Sequence, residues 1–488
     1  MSGAGLSLLF FLFLCRYSCL EFTEKALKNC KKYATLWQRG LPKEVFIKSA
    51  YEKRMIMKTA IIVGAGHRAF VYSKLAKTNP ELLKIVGVAD PDPLRRKKAM
   101  DYFGFGENMC FESAAELAKH PRLADAVING TMDEQHVETS VPLLEKGYDM
   151  LLEKPFAVNE EEMRILVETV KKYGNRVMIC HVLRYTPFYY KIKEIVSSGK
   201  LGNIINIQTN EHVSYHHLST SYIRGKWANS KKCHTTMLLA KCCHDIDIIM
   251  WLMDKNKPVK VASFGGKYQF KPENAPYGAG TVCMKDCPYV DTCDYSTKRL
   301  YIDHPDRWSF YVWDALEGIE NPTIEDKIAL MKSDNPYARC IYRCDNDVVD
   351  HQSVMFEFED GATATHNMVG GSAQPGRNIH IVGTKGELVG NFEESKFTVR
   401  MINPSPDAVN EECDIETFDL RVTGDMVGAY GGHGGGDERL SADFVRFISG
   451  EEPSLACTSI FDSVAGHLSV YCADKSMQSG MPVRIEFE

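Results

Sequence analysis

The first strong pattern begins near Lys58, in the segment KTAIIVGAGHRAFVYSKLAK. Ala60 to Val63 is a short apolar run with no polar alternation. That pattern predicts a strand buried on both faces of a parallel sheet. His67 to Lys77 follows with Phe70, Val71 and Leu75 on one side at helical spacing. The alternation then repeats. Lys84 to Ala89 reads as a strand, and Ser113-Ala114-Ala115-Glu116 reads as a capping box opening a short helix. Asp125 to Asn129 reads as a strand, and Gly147 ends a helix after Lys146. Tyr148 to Leu152 is a further strand. Asn159 and Glu162 cap a helix that stops at Gly174, and Arg176 to Val182 is the next strand. Strand and helix in strict turn predict a doubly wound parallel sheet over residues 57–180.

From His181 the pattern changes. Val259 to Phe270 and Val348 to Val369 alternate over long spans, the latter with Asp360-Gly361 as a hairpin turn. Asn378 to Phe392 reads as a hairpin through Gly383-Thr384-Lys385-Gly386. Helices near Leu440–Ser449 and Ser459–Met477 and a strand at Val483–Phe487 close the chain. This half, residues 181–488, is expected to be an α/β domain around a large open sheet. Residues 1–56 show no such pattern. Leu6 to Leu14 has the length of a secretory apolar region, but no Lys or Arg precedes it and no clear small-x-small site follows. The segment is expected to be a poorly ordered extension, or to precede a true start at Met55 or Met57. Secretion is the alternative.

Composition narrows the function classes. The 488 residues carry 58 Lys and Arg against 64 Asp and Glu, a formal net charge of -6. That balance argues against a nucleic-acid partner, which favours a basic face. A hydrophobic share of 44% leaves enough for ordinary cores and argues against disorder. No apolar run reaches the roughly 18 residues of a membrane span. The 16 cysteines are dispersed, which suits buried thiols in a reducing, cytoplasmic setting.

The candidate chemistry gathers at the carboxyl ends of the first strands, where doubly wound sheets bind ligands. Gly64-Ala65-Gly66-His67-Arg68-Ala69 is a G-x-G-x-x-A turn. Gly64 allows the tight turn, Gly66 lets a pyrophosphate approach the backbone, and Ala69 lets the helix pack closely. Asp90 ends the second strand, near the spacing of about 20 residues at which an acid binds ribose hydroxyls. An acid there favours NAD over NADP. Arg95 and Arg96 keep NADP open. Thr131, Lys154 and His181 sit at later strand ends.

Other features are less specific. Asn210 to Trp227 holds Glu211, His212, Tyr215, His216, His217, Tyr222 and Arg224, a mixture that suits a sugar pocket. An exposed polar loop is the plain alternative. Cys283, Cys287 and Cys293 form a local group, and the pair Cys340 and Cys344 could supply a fourth thiolate. Four thiolates could hold a structural zinc or an iron–sulfur cluster, although the spacing is not a standard knuckle and unlinked thiols are the alternative. Gly431-Gly432-His433-Gly434-Gly435-Gly436-Asp437 reads as a flexible loop in which Asp437 caps the next helix.

Several motifs in this order resemble one family. They are VGAGHRA at 63–69, GVADPDP at 87–93, LLEKPFA at 151–157, VLRYTPFY at 182–189, SGKLGNI at 198–204 and CHDIDIIMWL at 243–252. Together the chain resembles the glucose–fructose oxidoreductase, inositol dehydrogenase and rhizopine-catabolism (Gfo/Idh/MocA) family. The resemblance implies a Rossmann domain followed by an α/β domain whose large open sheet is mainly antiparallel. It implies an NAD(P)-dependent oxidoreductase of a small-molecule sugar, sugar acid or cyclitol, and a homo-oligomer. Lys154 of Glu153-Lys154-Pro155 is then expected between nicotinamide and substrate, with a pKa lowered by desolvation. His244 is expected to assist proton transfer. His67, Arg68, Thr131, His136 and Glu153 are expected around the cofactor. Arg184, Tyr185, His216, Trp227, Asp245 and His433 are expected around the substrate.

The chain also departs from the family. Many members place an aspartate one helical turn before the histidine, in D-x-G-x-H. Here position 240 is Ala and position 242 is Cys. Lys241 is the nearby charge that could bind an anionic or carbonyl group. Two other readings remain. One is an NAD-dependent glycosidase of the same superfamily, which oxidises a sugar, eliminates the glycoside and reduces again. The other is a nucleotide-binding sensor without catalysis, which an intact Lys154 argues against.

Overall fold

A computed structural model describes residues 57–254, 256–304, 308–409, 413–421 and 432–487. The expectations for residues 1–56 therefore lie outside the described residues. Residues 57–488 group as one compact unit.

Six parallel strands form the first sheet: β1 (Lys58–Val63), β2 (Leu83–Ala89), β3 (Cys110–Phe111), β4 (Ala126–Asn129), β5 (Asp149–Leu152) and β6 (Val177–Ile179). Their spatial order is β3-β2-β1-β4-β5-β6, a Rossmann order. Ala60, Ile61, Ile62 and Val63 are all buried, so the uninterrupted apolar run reports helices on both faces. The covering helices start and stop where their capping residues stand. Asp92 caps α1 (Pro93–Phe103) by accepting from the Leu94 N–H. Asn159 caps α2 (Glu160–Tyr173), which Gly174 ends at φ +71°. The predicted helix from His67 is interrupted: it runs His67–Ser73 and resumes at Leu75–Thr78.

The second sheet has nine strands. They are β7 (Ile204–Ser214), β8 (Pro258–Gly266), β9 (His351–Phe358), β10 (Thr363–Ser372), β11 (Gly376–Gly383), β12 (Gly386–Asn391), β13 (Lys396–Ile402), β14 (Cys413–Asp419) and β15 (Val483–Arg484). The order is β14-β13-β12-β11-β7-β10-β9-β8-β15, and only β7 and β10 run parallel. Both expected hairpins are present, with Gly361 at φ +88° in the first. β7 was not anticipated; it occupies the middle of the sheet where a polar loop was one reading. The helices α3 (Cys243–Met253) and α4 (Ile460–Ser479) cover the inner face, and Ile246, Ile249 and Val470 are fully buried there.

The division at residue 181 is not clean in packing. The helix Gly432–Ile448 returns to the first sheet, and its Leu440, Phe444, Val445 and Ile448 share one core with Ala60, Ile62 and Val88. This also corrects the expected glycine-rich loop, which from Gly432 on belongs to the start of that helix, with Gly434 and Gly435 at positive φ. Nothing is described of the His433 side chain. No helix of the described residues is long and apolar enough to cross a membrane.

One contact positions the nucleotide turn. Ala69 is fully buried, and a Cβ placed on Gly130, just after β4, would stand 2.9 Å from the Ala69 Cβ. The helix therefore rests directly on the strand end. Gly130→Ala is expected to cost about 1–3 kcal/mol through overpacking. Thermal or denaturant unfolding measures it, and an unchanged midpoint would remove the contact from the account.

Candidate active site

The glycine turn follows β1. Gly64 has φ +74°, and a Cβ there would lie 2.8 Å from the Thr131 backbone nitrogen. A Cβ on Gly66 would meet nothing within 4 Å, so the backbone is open where a pyrophosphate would approach. Asp90 is buried at the end of β2. Its Oδ2 accepts from the Ala65 N–H at 2.7 Å and its Oδ1 from the Asp92 N–H at 2.8 Å. Asp90 thus fastens the turn to β2, and each oxygen keeps a lone pair for a ribose hydroxyl. The residues fit a dinucleotide. Arg95 pairs with Glu317 at 2.9 Å, while Arg96 donates to the Asp90 carbonyl at 2.6 Å.

Three of the expected cofactor neighbours have partners within the protein. His136 is fully buried. Its Nδ1 lies 2.6 Å from the Pro155 carbonyl and its Nε2 3.1 Å from the Thr131 carbonyl. It braces the loops after β4 and β5 against one another. Arg68 pairs with Glu153 at 3.0 Å and with Asp437 at 2.6 Å. Glu153 is buried and also accepts from the Tyr72 hydroxyl at 2.6 Å and from the Lys154 N–H at 2.8 Å. Burial would raise the Glu153 pKa, but Arg68, Lys154 and Tyr72 outweigh it and hold the carboxyl below its usual range. Asp437, expected as a helix cap, is buried in this ion-pair network. His67 is exposed, with its ring 5.2 Å from Phe310.

Lys154 follows β5 directly, at a cis peptide to Pro155. Its Nζ donates to the Ala240 carbonyl at 2.8 Å. The backbone of residue 240 thus anchors the lysine. The expected lowering of its pKa is corrected. Burial does push the ammonium downward, but Cys243, Glu153 and Asp133 raise it further, and the sum lies above the ordinary lysine value. Beside it lie three histidines. The His181 ring is 5.7 Å from His244 and 5.9 Å from His467. His181 is almost fully buried, with Nδ1 3.6 Å from Asp247 and no hydrogen-bond partner on either ring nitrogen. Burial, then Arg184 and Lys154, hold it neutral, well below its usual pKa. His467 accepts from the Phe156 N–H at 3.2 Å, and burial lowers its pKa to about 3. Burial also pushes the neighbouring Cys243 thiol up to about 12.

The expected substrate residues divide. Arg184 is buried in a two-point pair with Asp247, at 2.7 and 2.6 Å, and Tyr185 donates to Asp443 at 2.8 Å. Both side chains are engaged within the protein. Asp245 pairs with Arg377 at 2.8 Å, Arg377 with Glu211 at 2.7 Å, and Glu211 with Lys241 at 3.0 Å. Lys241 is therefore balanced, not a free cation. Trp227 donates to Asp133 at 2.9 Å and lies edge-on to Tyr311 at 6.2 Å. His216 lies against Tyr215 at 5.2 Å. His217, in turn, stacks on Trp308 at 3.5 Å. Asp133, Arg377, Trp308, Tyr311 and His467 were not singled out from sequence. Asp133, in the loop after β4, carried a positional signal.

Two family models match this chain. The oxidoreductase family's NAD-binding Rossmann fold covers residues 58–181, and its C-terminal alpha/beta domain covers 193–485. The chain belongs to the Gfo/Idh/MocA oxidoreductase family. It is accordingly an NAD(P)-dependent dehydrogenase by family. The protein YteT of Bacillus subtilis is 25% identical over 426 residues, spanning 85% of this chain and 94% of YteT. Inositol 2-dehydrogenase of Salmonella typhimurium is 25% identical over 202 residues, 41% of this chain and 56% of that protein. Among solved structures, the WlbA dehydrogenase of Bordetella pertussis, in complex with NADH and UDP-GlcNAcA, superposes with a TM-score of 0.60 at 14% identity. That alignment covers 88% of this chain and 99% of WlbA, and it establishes likeness of fold.

Glu153→Gln tests the ion-pair network. The variant should lose about 2–3 kcal/mol at neutral pH, less than a fully buried pair because Arg68 is partly exposed. Because the folded pKa is depressed, this stabilisation is complete above the unfolded value of about 4.3 and fades as pH falls through the folded one. Acid unfolding of the variant should therefore depend less on pH below about 4. Parallel acid limbs in the two proteins would contradict the assignment.

Proposed function

We propose that the chain moves a hydride between a hydroxyl of a sugar, sugar acid or cyclitol and NAD. Lys154 carries this reading. It is a protonated amine at a Rossmann strand end, held by one backbone carbonyl and flanked by uncharged histidine. The dinucleotide, when bound, supplies the hydride acceptor. Gly64 and Gly66 take its pyrophosphate and Asp90 its ribose. The acid at 90 favours NAD over NADP; Arg95 is paired with Glu317, and Arg96 lies against the Asp90 backbone.

Lys154 Nζ sets the substrate oxygen by hydrogen bonding and stabilises its developing negative charge. A lysine held protonated suits this role better than that of the initial base. His244 takes the hydroxyl proton in the oxidative direction and returns it in the reductive one. His216 and Trp227 flank the sugar ring. Free thiols throughout the described residues support a cytoplasmic setting. The outer face of the nine-stranded sheet exposes Phe264, Met355 and Val369 and is assigned to a second copy of the chain.

Incubating the protein with NAD and a panel of free sugars, cyclitols and nitrophenyl glycosides decides the reaction class. NADH formed with a free polyol or sugar supports the proposal. Nitrophenol released without NADH, in an NAD-dependent manner, would replace it with a redox-assisted glycosidase. Lys154→Ala should keep nucleotide affinity and lose about 10²–10⁴-fold in turnover. Unchanged turnover would remove Lys154 from the reaction.

A further inference from the structure

Residues 267–350 form one long insertion between the neighbouring strands β8 and β9. Apolar packing holds it. Phe270, Ile341, Tyr342 and Val348 join the main core, and Leu300, Tyr301, Val312 and Met331 form a smaller cluster in the middle. Its cysteines are free thiols. Among the described residues no three of them bring their sulfurs within 4.8 Å of one another, so the thiolate set expected for a single zinc is not assembled.

The middle of the insertion reaches back to the nucleotide-binding half. The segment Phe310–Gly318 meets that half at two places. The Phe310 ring lies 5.2 Å from His67, the residue that follows Gly66 in the nucleotide turn. At the other end, Glu317 Oε2 accepts from both Nε and Nη2 of Arg95, at 3.0 and 2.9 Å. A Cβ on the next residue, Gly318, would stand 3.9 Å from the Leu94 Cδ1. Val312 and Leu316 are buried between these contacts, so packing fixes the backbone that presents Glu317.

Arg95 lies in the first turn of α1, shortly after Asp90. This is the end of the cleft where the adenosine ribose would meet Asp90. NADP differs from NAD by a phosphate on the 2′-oxygen of that ribose, and a nearby arginine is the side chain that accommodates it. Two arginines stand here, and both have partners. Arg96 Nη1 donates to the Asp90 and Pro91 carbonyls at 2.6 and 3.0 Å. Arg95 is turned to a carboxylate 222 residues further along the chain. Asp92 Oδ2 adds a more distant contact, 3.9 Å from Arg95 Nε. Burial pulls the Arg95 pKa down, and Glu317, then Asp90 and Asp314, more than restore it. Asp314 in turn faces Lys226 at 3.8 Å.

We propose that Glu317 is a determinant of nucleotide choice, acting by withholding Arg95 from a 2′-phosphate. The inference rests on the dinucleotide site proposed above. Asp90 disfavours the phosphate from the end of β2, and Glu317 does so from the other half of the molecule. Glu317 is a positioning residue here, since it acts through Arg95. A partly exposed ion pair shifts an equilibrium by up to about fivefold. A 2′-phosphate carries nearly two charges, so freeing one arginine beside it should count for about tenfold.

The test is the affinity of the full chain for NAD and for NADP, read by calorimetry without any substrate. Wild type, Glu317→Ala, Arg95→Ala and the double variant are compared. Wild type should bind NAD more tightly than NADP. Glu317→Ala should tighten NADP relative to NAD by about tenfold, and adding Arg95→Ala should cancel that gain. A segment merely loosened by the substitution would change both affinities together, and an unchanged ratio would overturn the proposal. So would a gain that persists in the double variant. Wild-type protein that binds neither nucleotide, or prefers NADP, would instead overturn the underlying NAD site. That outcome is read before any substitution is made.

Discussion

The Glu153 carboxylate is the fixed point of this molecule. It is buried at the end of β5 and accepts from Arg68, Tyr72 and the Lys154 backbone. Through Arg68 it reaches Asp437, on a helix more than 250 residues further along the chain. One buried anion therefore joins the nucleotide turn, the lysine and the returning C-terminal helix. Its desolvation is tolerable only because several donors converge on it. The convergence fixes Lys154 relative to Gly64 and Gly66 more firmly than a loop could by packing alone.

The same anion sets the chemistry. A lysine taken partly out of water tends toward neutrality. Cys243, Glu153 and Asp133 reverse that tendency, so Lys154 remains a cation beside His181 and His467, which burial keeps neutral. A cation and neutral imidazoles are thereby placed side by side. Under the proposed reaction the work is divided, with Lys154 stabilising the substrate oxygen and His244, next to His181, moving the proton.

Much of this was legible in the sequence, for physical reasons. β1, β4 and β5 announced themselves because strands covered on both faces carry few polar residues, and those mainly at their ends. The turn Gly64–Ala69 was legible because Gly64 must take a positive φ and Ala69 must touch Gly130. β7 was hidden because its inward face carries Thr209 and Glu211 between Ile207 and Val213, which breaks the alternation. An inward carboxylate makes sense only once Lys241 and Arg377 are seen beside it. β14 was hidden for the opposite reason. It is an edge strand, exposed on most positions, so nothing constrains its pattern. The partners of Arg184 and Tyr185 were hidden because Asp247 and Asp443 lie far away in sequence. The direction of the Lys154 shift was unreadable because burial is legible in a sequence and proximity is not.

The insertion turns the usual relation between core and site around. Elsewhere the sheets bury large apolar faces and the functional groups sit on their edges. Here, residues that face the candidate site belong to a segment with little core of its own. Trp308 stacked 3.5 Å from His217 gains orientation only if the backbone carrying it is held. Apolar packing supplies that hold at both ends of the segment, where Phe270, Ile341, Tyr342 and Val348 join the main core, and in its middle through Leu300, Tyr301, Val312 and Met331. The buried Arg224 adds to it, because one guanidinium donates to both the Arg339 and the Tyr295 carbonyls and so ties two distant parts of the segment to the chain that follows β7.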